Sequence, residues 1–246
     1  MDKSLQWLPA NWPAPAHVKA GCTTRLGGVS DAPYTGFNLA EHVGDKPAHV
    51  AANRQQLTQL LDLPSTPRWL QQVHGCQVYT DAQVLQQADA SVTQQVDQVC
   101  VVMTADCLPL LITDTTGSCV AAVHAGWRGL ANGVIMASLD AMPVAAEQLL
   151  VWLGPAIGPD AFEVGQDVYD CFIQQSASYQ AAFTDKSPGK WLLDMYQVAR
   201  QQLAMCGVTR IYGGEFCTYQ EPQRFYSYRR DRQTGRMASL IWLTPH

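Results

Sequence analysis

Three short apolar, β-branched runs, at residues 99–103, 108–112 and 119–123, frame one cysteine and one histidine. Runs of that length and composition read as buried strands. Thr104-Ala105-Asp106-Cys107 fills the break before the second run, and His124 follows the third. Strand ends hold side chains rigidly at a surface while leaving room for a ligand, so each break presents a reactive side chain on a firm support. Pro109 fixes the exit after Cys107, and Gly126 and Gly129 fix the exit after His124. A third segment, Gln72-Val73-His74-Gly75, adds a histidine whose neighbouring glycine allows close approach of a backbone or ligand.

The remaining pattern alternates helix and strand. Asp45 with Pro47 suits a helix start, Val50, Leu57 and Leu61 share one face, and Leu63-Pro64 ends the segment. A helix through Met136 and Leu139 is predicted after Gly126-Trp127-Arg128-Gly129. A stripe of Trp191, Leu192, Met195, Ala199, Leu203 and Cys206 predicts another, stopped by Gly207 as a left-handed cap. Strands return at 209–212 and 239–243. This order fits an α+β sandwich with mixed sheets better than a doubly wound parallel sheet. No repeat, low-complexity tract or linker interrupts residues 1–246, so one continuous domain is expected. Short Gln-rich patches around Gln71, Gln86 and Gln94 read as polar surface.

A net charge of −5 gives no general attraction to a nucleic acid polymer or an anionic membrane surface. No run of 18 apolar residues is present, and the segment from Met1 to Pro13 lacks an export signal's apolar stretch and cleavage site. The eight cysteines contain no CxxC pair, and a chain of 246 residues buries enough surface to do without disulfides. A cytoplasmic protein is expected, with most cysteines acting as small buried hydrophobes. Oligomeric state is not legible.

Two imidazoles and one thiolate, at His74, Cys107 and His124, suit zinc with a fourth position left for water. Their net charge of about +1 with the ion would make that water acidic. The spacing matches no compact zinc motif, and a structural histidine or a metal-free Cys-His pair accounts for the same residues. Gly126-Trp127-Arg128-Gly129 opens a helix beside Arg128, which offers an anion site or merely a tight turn. Thr24-Arg25-Leu26-Gly27-Gly28 offers the same choice, a phosphate clamp at Arg25 or a surface ion pair. Phe225-Tyr226 ahead of Tyr228-Arg229-Arg230 can stack a base and neutralise an anion, or form an ordinary rim. Residues 154–159 read as a stiff pocket wall.

Taken together, residues 23–30, 42–45, 72–75, 105–109, 124–129, 154–159, 162–165, 217–219 and 225–235 resemble the YfiH family. It is also called the laccase-domain or polyphenol oxidase family and the peptidoglycan editing factors. The resemblance implies an α/β/β/α-type sandwich and a catalytic zinc on His74, Cys107 and His124. It implies purine nucleoside phosphorylase activity on adenosine, inosine and 5′-methylthioadenosine, adenosine deaminase activity, and a link to editing of peptidoglycan precursors. Nucleoside and phosphate are then the partners. Arg25, Arg128 and Arg229 are the candidate anion clamp, and Asp106 a supporting carboxylate or proton carrier. A four-copper laccase needs about ten imidazoles, many in His-x-His pairs. Six histidines and no such pair exclude that chemistry here, leaving copper as a substitute in the zinc site. Two other readings use the same residues. One is a hydrolase or amidase with Cys107 as nucleophile and His124 as base. The other is a non-enzymatic partner of cell-wall ligases, its zinc closed by a fourth ligand such as Cys76 or His42.

Overall fold

The computed structural model describes residues 6–82 and 87–245. In chain order these form β1 (Trp7–Pro9), β2 (Val18–Thr23), α1 (Pro47–Leu61), β3 (Val78–Tyr79), β4 (Ala90–Thr93), β5 (Cys100–Thr104), β6 (Leu108–Asp114) and β7 (Val120–Ala125). Next come α2 (Trp127–Ala131), α3 (Val134–Asp140), β8 (Leu149–Leu153), β9 (Glu163–Gly165), α4 (Gln166–Ile173), β10 (Phe183–Ser187) and β11 (Lys190–Leu193). The chain ends with α5 (Met195–Met205), β12 (Arg210–Gly213), α6 (Tyr228–Asp231) and β13 (Met237–Leu243). Gln71 and Gln94 are exposed, as polar patches should be. Gln86 and residues 1–5 of the amino-terminal reading lie outside the described residues.

An antiparallel four-stranded sheet, ordered β1-β2-β13-β5, faces a mixed six-stranded sheet ordered β12-β8-β6-β7-β4-β3. Side chains from both, including Cys22, Val102, Leu111, Trp152 and Ile241, fill the space between them. Leu57 and Leu60 of α1 cover the outer face of the first sheet against Val101 and Leu240. Leu139, Phe172, Val198 and Leu203 of α3, α4 and α5 cover the outer face of the second. The layers are therefore α/β/β/α, and the chain is an α+β protein. β5, β6 and β7 are buried at every residue, which explains why they read as continuous apolar runs without alternation. A small antiparallel sheet, β10-β11-β9, stands apart from both.

Local chemistry moves several boundaries. Asp45 does not cap α1: Lys46 holds that position, and the buried Asp45 carboxylate accepts from Ser30 Oγ at 2.7 Å and Asn38 Nδ2 at 2.8 Å. The helix predicted through Leu139 is broken into α2 and α3 because Gly133 turns left-handed at φ 87°. Met136 consequently faces solvent. The stripe beginning at Trp191 is two elements: Trp191 and Leu192 belong to β11, and Asp194 caps α5 by accepting from Gln197 N at 3.0 Å. Gly207 does end that helix, at φ 88°.

Candidate active site and metal centre

The register of the β6–β7 hairpin brings Cys107 and His124 together. Leu108 pairs with Ala125 and Pro109 with His124, so the residue before β6 meets the last turn of β7. His74 arrives from the loop after residue 71, in the left-handed region at φ 60°. The three ligand atoms lie within 4.8 Å of one another. Cys107 Sγ is 3.8 Å from His74 Nε2, and the two imidazoles meet edge to face with centroids 4.8 Å apart. A tetrahedral ion with bonds of zinc length holds its ligand atoms roughly 3.3–3.6 Å apart, so small side-chain rotations suffice and the donor set fits such an ion. Among the described residues no other His, Cys, Asp or Glu joins the cluster. Cys76 packs against the helix-side core, and His42 stands at the rim of the neighbouring cleft.

Asp89 holds this arrangement and has no exposed surface. Its Oδ1 accepts from His124 Nδ1 at 2.8 Å and from the His74 backbone nitrogen at 2.9 Å. Its Oδ2 accepts from the backbone nitrogens of Gly75 at 2.7 Å and Val73 at 3.2 Å. One carboxylate thus fixes the proton of His124 on Nδ1, leaves Nε2 for a ligand, and pins the strained turn at His74. Burial pushes the Asp89 carboxyl up, but the hydrogen bonds from His124 and Gly75 outweigh it and hold the group below the usual carboxylate range. Burial likewise opposes charge on Cys107 and His124. The His124 charge and hydrogen bond nonetheless pull the thiol well down, and Cys107 with Asp89 pulls the imidazole up. These opposing shifts favour a thiolate beside an imidazolium, and His124 Nε2 is the nitrogen that would turn to an ion.

Gly126 sets the clearance. Its φ of −69° is open to any residue, yet a Cβ there would stand 2.9 Å from Cys107 Sγ and 3.1 Å from a carbon of the His74 ring. The donors open into a cleft of about 460 Å³ lined by Trp127, Ile157, Phe162, Met195 and Tyr228 together with Arg128, Arg229, Arg232 and Arg236.

Of the residues singled out in the sequence, Arg128 and Arg229 line this cleft and Arg25 does not. Arg25 donates to the carbonyls of Pro222 and Thr35 and lies over the Tyr226 ring, which makes it a strut between loops. Arg128 is exposed and rests on Trp127. α2, which follows Gly126, spans five residues and has no side-chain cap at its N-terminus. Arg229 gives Nη1 to the Glu163 carbonyl at 2.7 Å. Asp106, at φ 94°, accepts from Thr218 Oγ1 and from the Arg229 backbone nitrogen, each at 2.6 Å. Its Oδ2 joins α6 to the Cys107 turn and its Oδ1 joins the loop around Thr218 to the same turn. Sequence reasoning passed over Asp89, Arg232 and Arg236. An acidic residue inside the short run 88–93 is the sole mark of Asp89, and it says nothing about which loop folds onto it.

Fold and centre together define an α/β/β/α sandwich with an open His-Cys-His cluster at one end of its central hairpin. The chain belongs to the laccase-domain (YfiH) family: residues 19–244 match the family described as multi-copper polyphenol oxidoreductase laccase. A Pseudomonas aeruginosa relative named purine nucleoside phosphorylase is 51% identical over 96% of this chain and 98% of its own length. The Escherichia coli relative named purine nucleoside phosphorylase YfiH is 50% identical, over 94% of this chain and 96% of its own. The crystal structure of a Neisseria meningitidis protein of the DUF152 family superposes with a TM-score of 0.93 at 48% identity, covering 98% of this chain and all of that one.

Proposed function

We propose that this chain is a zinc-dependent purine nucleoside phosphorylase acting on adenosine, inosine and 5′-methylthioadenosine, with adenosine deamination as a second activity of the same cleft. The observation that carries this reading is a three-donor centre with no fourth donor among the described residues, opening on a cleft that combines aromatic walls with arginines that form no ion pair among those residues. The names of the relatives point the same way. Aromatic and apolar walls suit a purine, which buries large flat faces. Arginines suit phosphate, which needs charge and directed donors.

In phosphorolysis a phosphate oxygen bonds to C1′ as the C1′–N9 bond breaks; the electron pair leaves with the purine, which takes up a proton. His74, Cys107 and His124 would hold the ion, which when bound supplies a Lewis acid and an acidic water able to serve deamination. Trp127 and Phe162 enclose the base. The cleft arginines offset phosphate charge while positive charge grows on the sugar. Asp106 keeps α6, and so Arg229, against the Cys107 turn. Copper in place of zinc would occupy the same three donors. Editing of peptidoglycan precursors is a further expectation of the family, and this cleft would have to serve it.

The test is product analysis with zinc-loaded protein: adenosine plus phosphate should yield adenine and ribose 1-phosphate, and adenosine without phosphate a slower yield of inosine. Undiminished turnover by protein stripped of metal would end the zinc reading. A purely structural zinc fits poorly, because no fourth ligand closes the cluster among the described residues.

A further inference from the structure

The chain is acidic overall, yet its cleft collects four arginines and a single carboxylate, Asp106, whose oxygens are both spoken for. Among the described residues none of these four arginines has an ion-pair partner; outside the cleft Arg54, Arg68, Arg224 and Arg230 are paired, and Arg25, Arg200 and Arg210 donate to backbone carbonyls. What sets the cleft apart is that four such cations converge on it, where they repel one another unless an anion offsets them. A neutral nucleoside leaves that charge unanswered. The four are not equivalent.

Arg128 and Arg232 are exposed, and Arg229 has one guanidinium nitrogen tied to a carbonyl. Arg236 is half-buried and pre-set. Nη1 donates to the carbonyls of Thr234 at 2.8 Å and Gly235 at 3.0 Å, which fixes the plane of the fork. No protein acceptor for its Nε or Nη2 is found among the described residues. Its backbone nitrogen donates to Asn38 Oδ1 at 3.0 Å, and Asn38 Nδ2 donates to Asp45. That link ties Arg236 to the 38–45 segment, which carries His42 to the same cleft. Gly235 permits the junction: a Cβ there would meet the Tyr226 ring at 2.7 Å and Asn38 Cβ at 2.9 Å. Arg236 lines the same cleft as His74, Asp106, Cys107 and His124, which puts it on the metal centre's side of the molecule.

Resting on the phosphorylase reading, we propose that Arg236 and His42 form the phosphate subsite, with the free edge of the Arg236 fork gripping two phosphate oxygens and the imidazole binding a third. Desolvation at the rim, then the nearby charges of Arg236 and Arg54, lower the His42 imidazole below its ordinary range against the pull of Glu41, which favours a ring that adds a hydrogen bond without adding to the crowd of cations.

The test is inorganic phosphate binding to the zinc-loaded protein, by calorimetry without nucleoside and as the KM for phosphate at saturating adenosine. Arg236→Met should weaken both roughly 10- to 100-fold, the loss expected for hydrogen bonds to a charged group. Arg236→Lys should recover part of it, and His42→Gln, at an exposed position that does not threaten folding, should weaken phosphate about 3- to 10-fold. Zinc per chain and the KM for adenosine should hold. Unchanged phosphate affinity in both Arg236→Met and His42→Gln overturns the subsite, as does loss confined to Arg25→Gln. If the parent turns over no nucleoside but binds phosphate through Arg236, the subsite stands and the phosphorylase reading falls. If it turns over adenosine with phosphate indifferent to Arg236, the reverse holds.

Discussion

Oδ1 of Asp89 lies 2.8 Å from Nδ1 of His124, and neither side chain is more than 3% exposed. This contact fixes the tautomer and the ring plane of a candidate ligand from behind. Because the remaining lone pairs of Asp89 hold the 73–75 turn, the orientations of His124 and His74 are coupled through one buried group.

Asp89→Asn is expected to weaken zinc binding roughly 10- to 100-fold, the usual effect of losing a partner behind a metal-ligating histidine. An amide has one accepting oxygen where four donors converge, so its NH₂ must face N–H groups whichever way it turns. Competition with a calibrated chelator measures the affinity, and nitrogen chemical shifts of His124 report the tautomer. Asp114→Asn is the control, since Asp114 ends β6 and holds the turn at the other end of the β6–β7 hairpin. It should lower thermal stability with zinc affinity intact; equal zinc loss in both variants would show that Asp89 acts only on the fold.

Gly126→Ala should keep the fold and weaken metal binding. The backbone there tolerates alanine, but the added methyl would press on Cys107 Sγ at 2.9 Å, where a ligand must approach closely. We expect zinc affinity to fall roughly 5- to 150-fold, from a penalty of roughly 1–3 kcal/mol against the bound geometry, so that a competing chelator strips zinc from this variant at concentrations that leave the parent loaded. Far-ultraviolet circular dichroism should overlay that of the parent, and elemental analysis decides the outcome.

Acid sensitivity should trace in part to Asp114, which accepts from the backbone nitrogens of Ser118 at 2.6 Å, Cys119 at 3.1 Å and Thr116 at 3.1 Å, and from the Thr116 hydroxyl. Burial raises its carboxyl, yet these bonds, led by that from Thr116, leave it below the usual range. A carboxyl depressed in the folded state contributes stability that is complete above its unfolded value near 3.9 and is lost as pH falls through the lower folded value. Asp114→Asn should cost about 2–3 kcal/mol at pH 7 by stranding donors, and much less near pH 2. Denaturant melts at both pH values check this; an equal loss at each would refute it.

The central hairpin was legible because β5, β6 and β7 are buried on both faces and leave an unbroken apolar signature, while Cys107 and His124 stand where that signature stops. The site's other half was not. Asp89 and Arg236 reach the centre through pairings of β4 with β7 and of β13 with β5, contacts between strands far apart in sequence that no local pattern encodes. Arg25 misled for the opposite reason. An arginine before two glycines looks like a phosphate loop, yet Gly28 is required there because a Cβ would collide with the backbone of Gly36 and Phe37, a matter of loop packing. Trp191 failed as a helix residue because Asp194 caps from inside the stripe.

Alkylation separates the metal enzyme from the cysteine hydrolase. Burial drives the thiols of Cys22 and Cys119 up to about 12 and that of Cys100 to about 11, so these three are inert. Cys107 also suffers burial, but the charge and hydrogen bonds of His124, then those of His74, bring it down to about 6. In metal-stripped protein at pH 7, iodoacetamide should therefore modify Cys107 ahead of every other cysteine. Saturating zinc should protect it at least tenfold, because the lone pair that attacks carbon is the one that binds the ion. Peptide mass mapping gives both rates, and nucleoside turnover should fall in step with labelling of the stripped protein once zinc is restored. Equal labelling with and without zinc, alongside activity that survives a chelator, would make Cys107 a nucleophile and not a ligand.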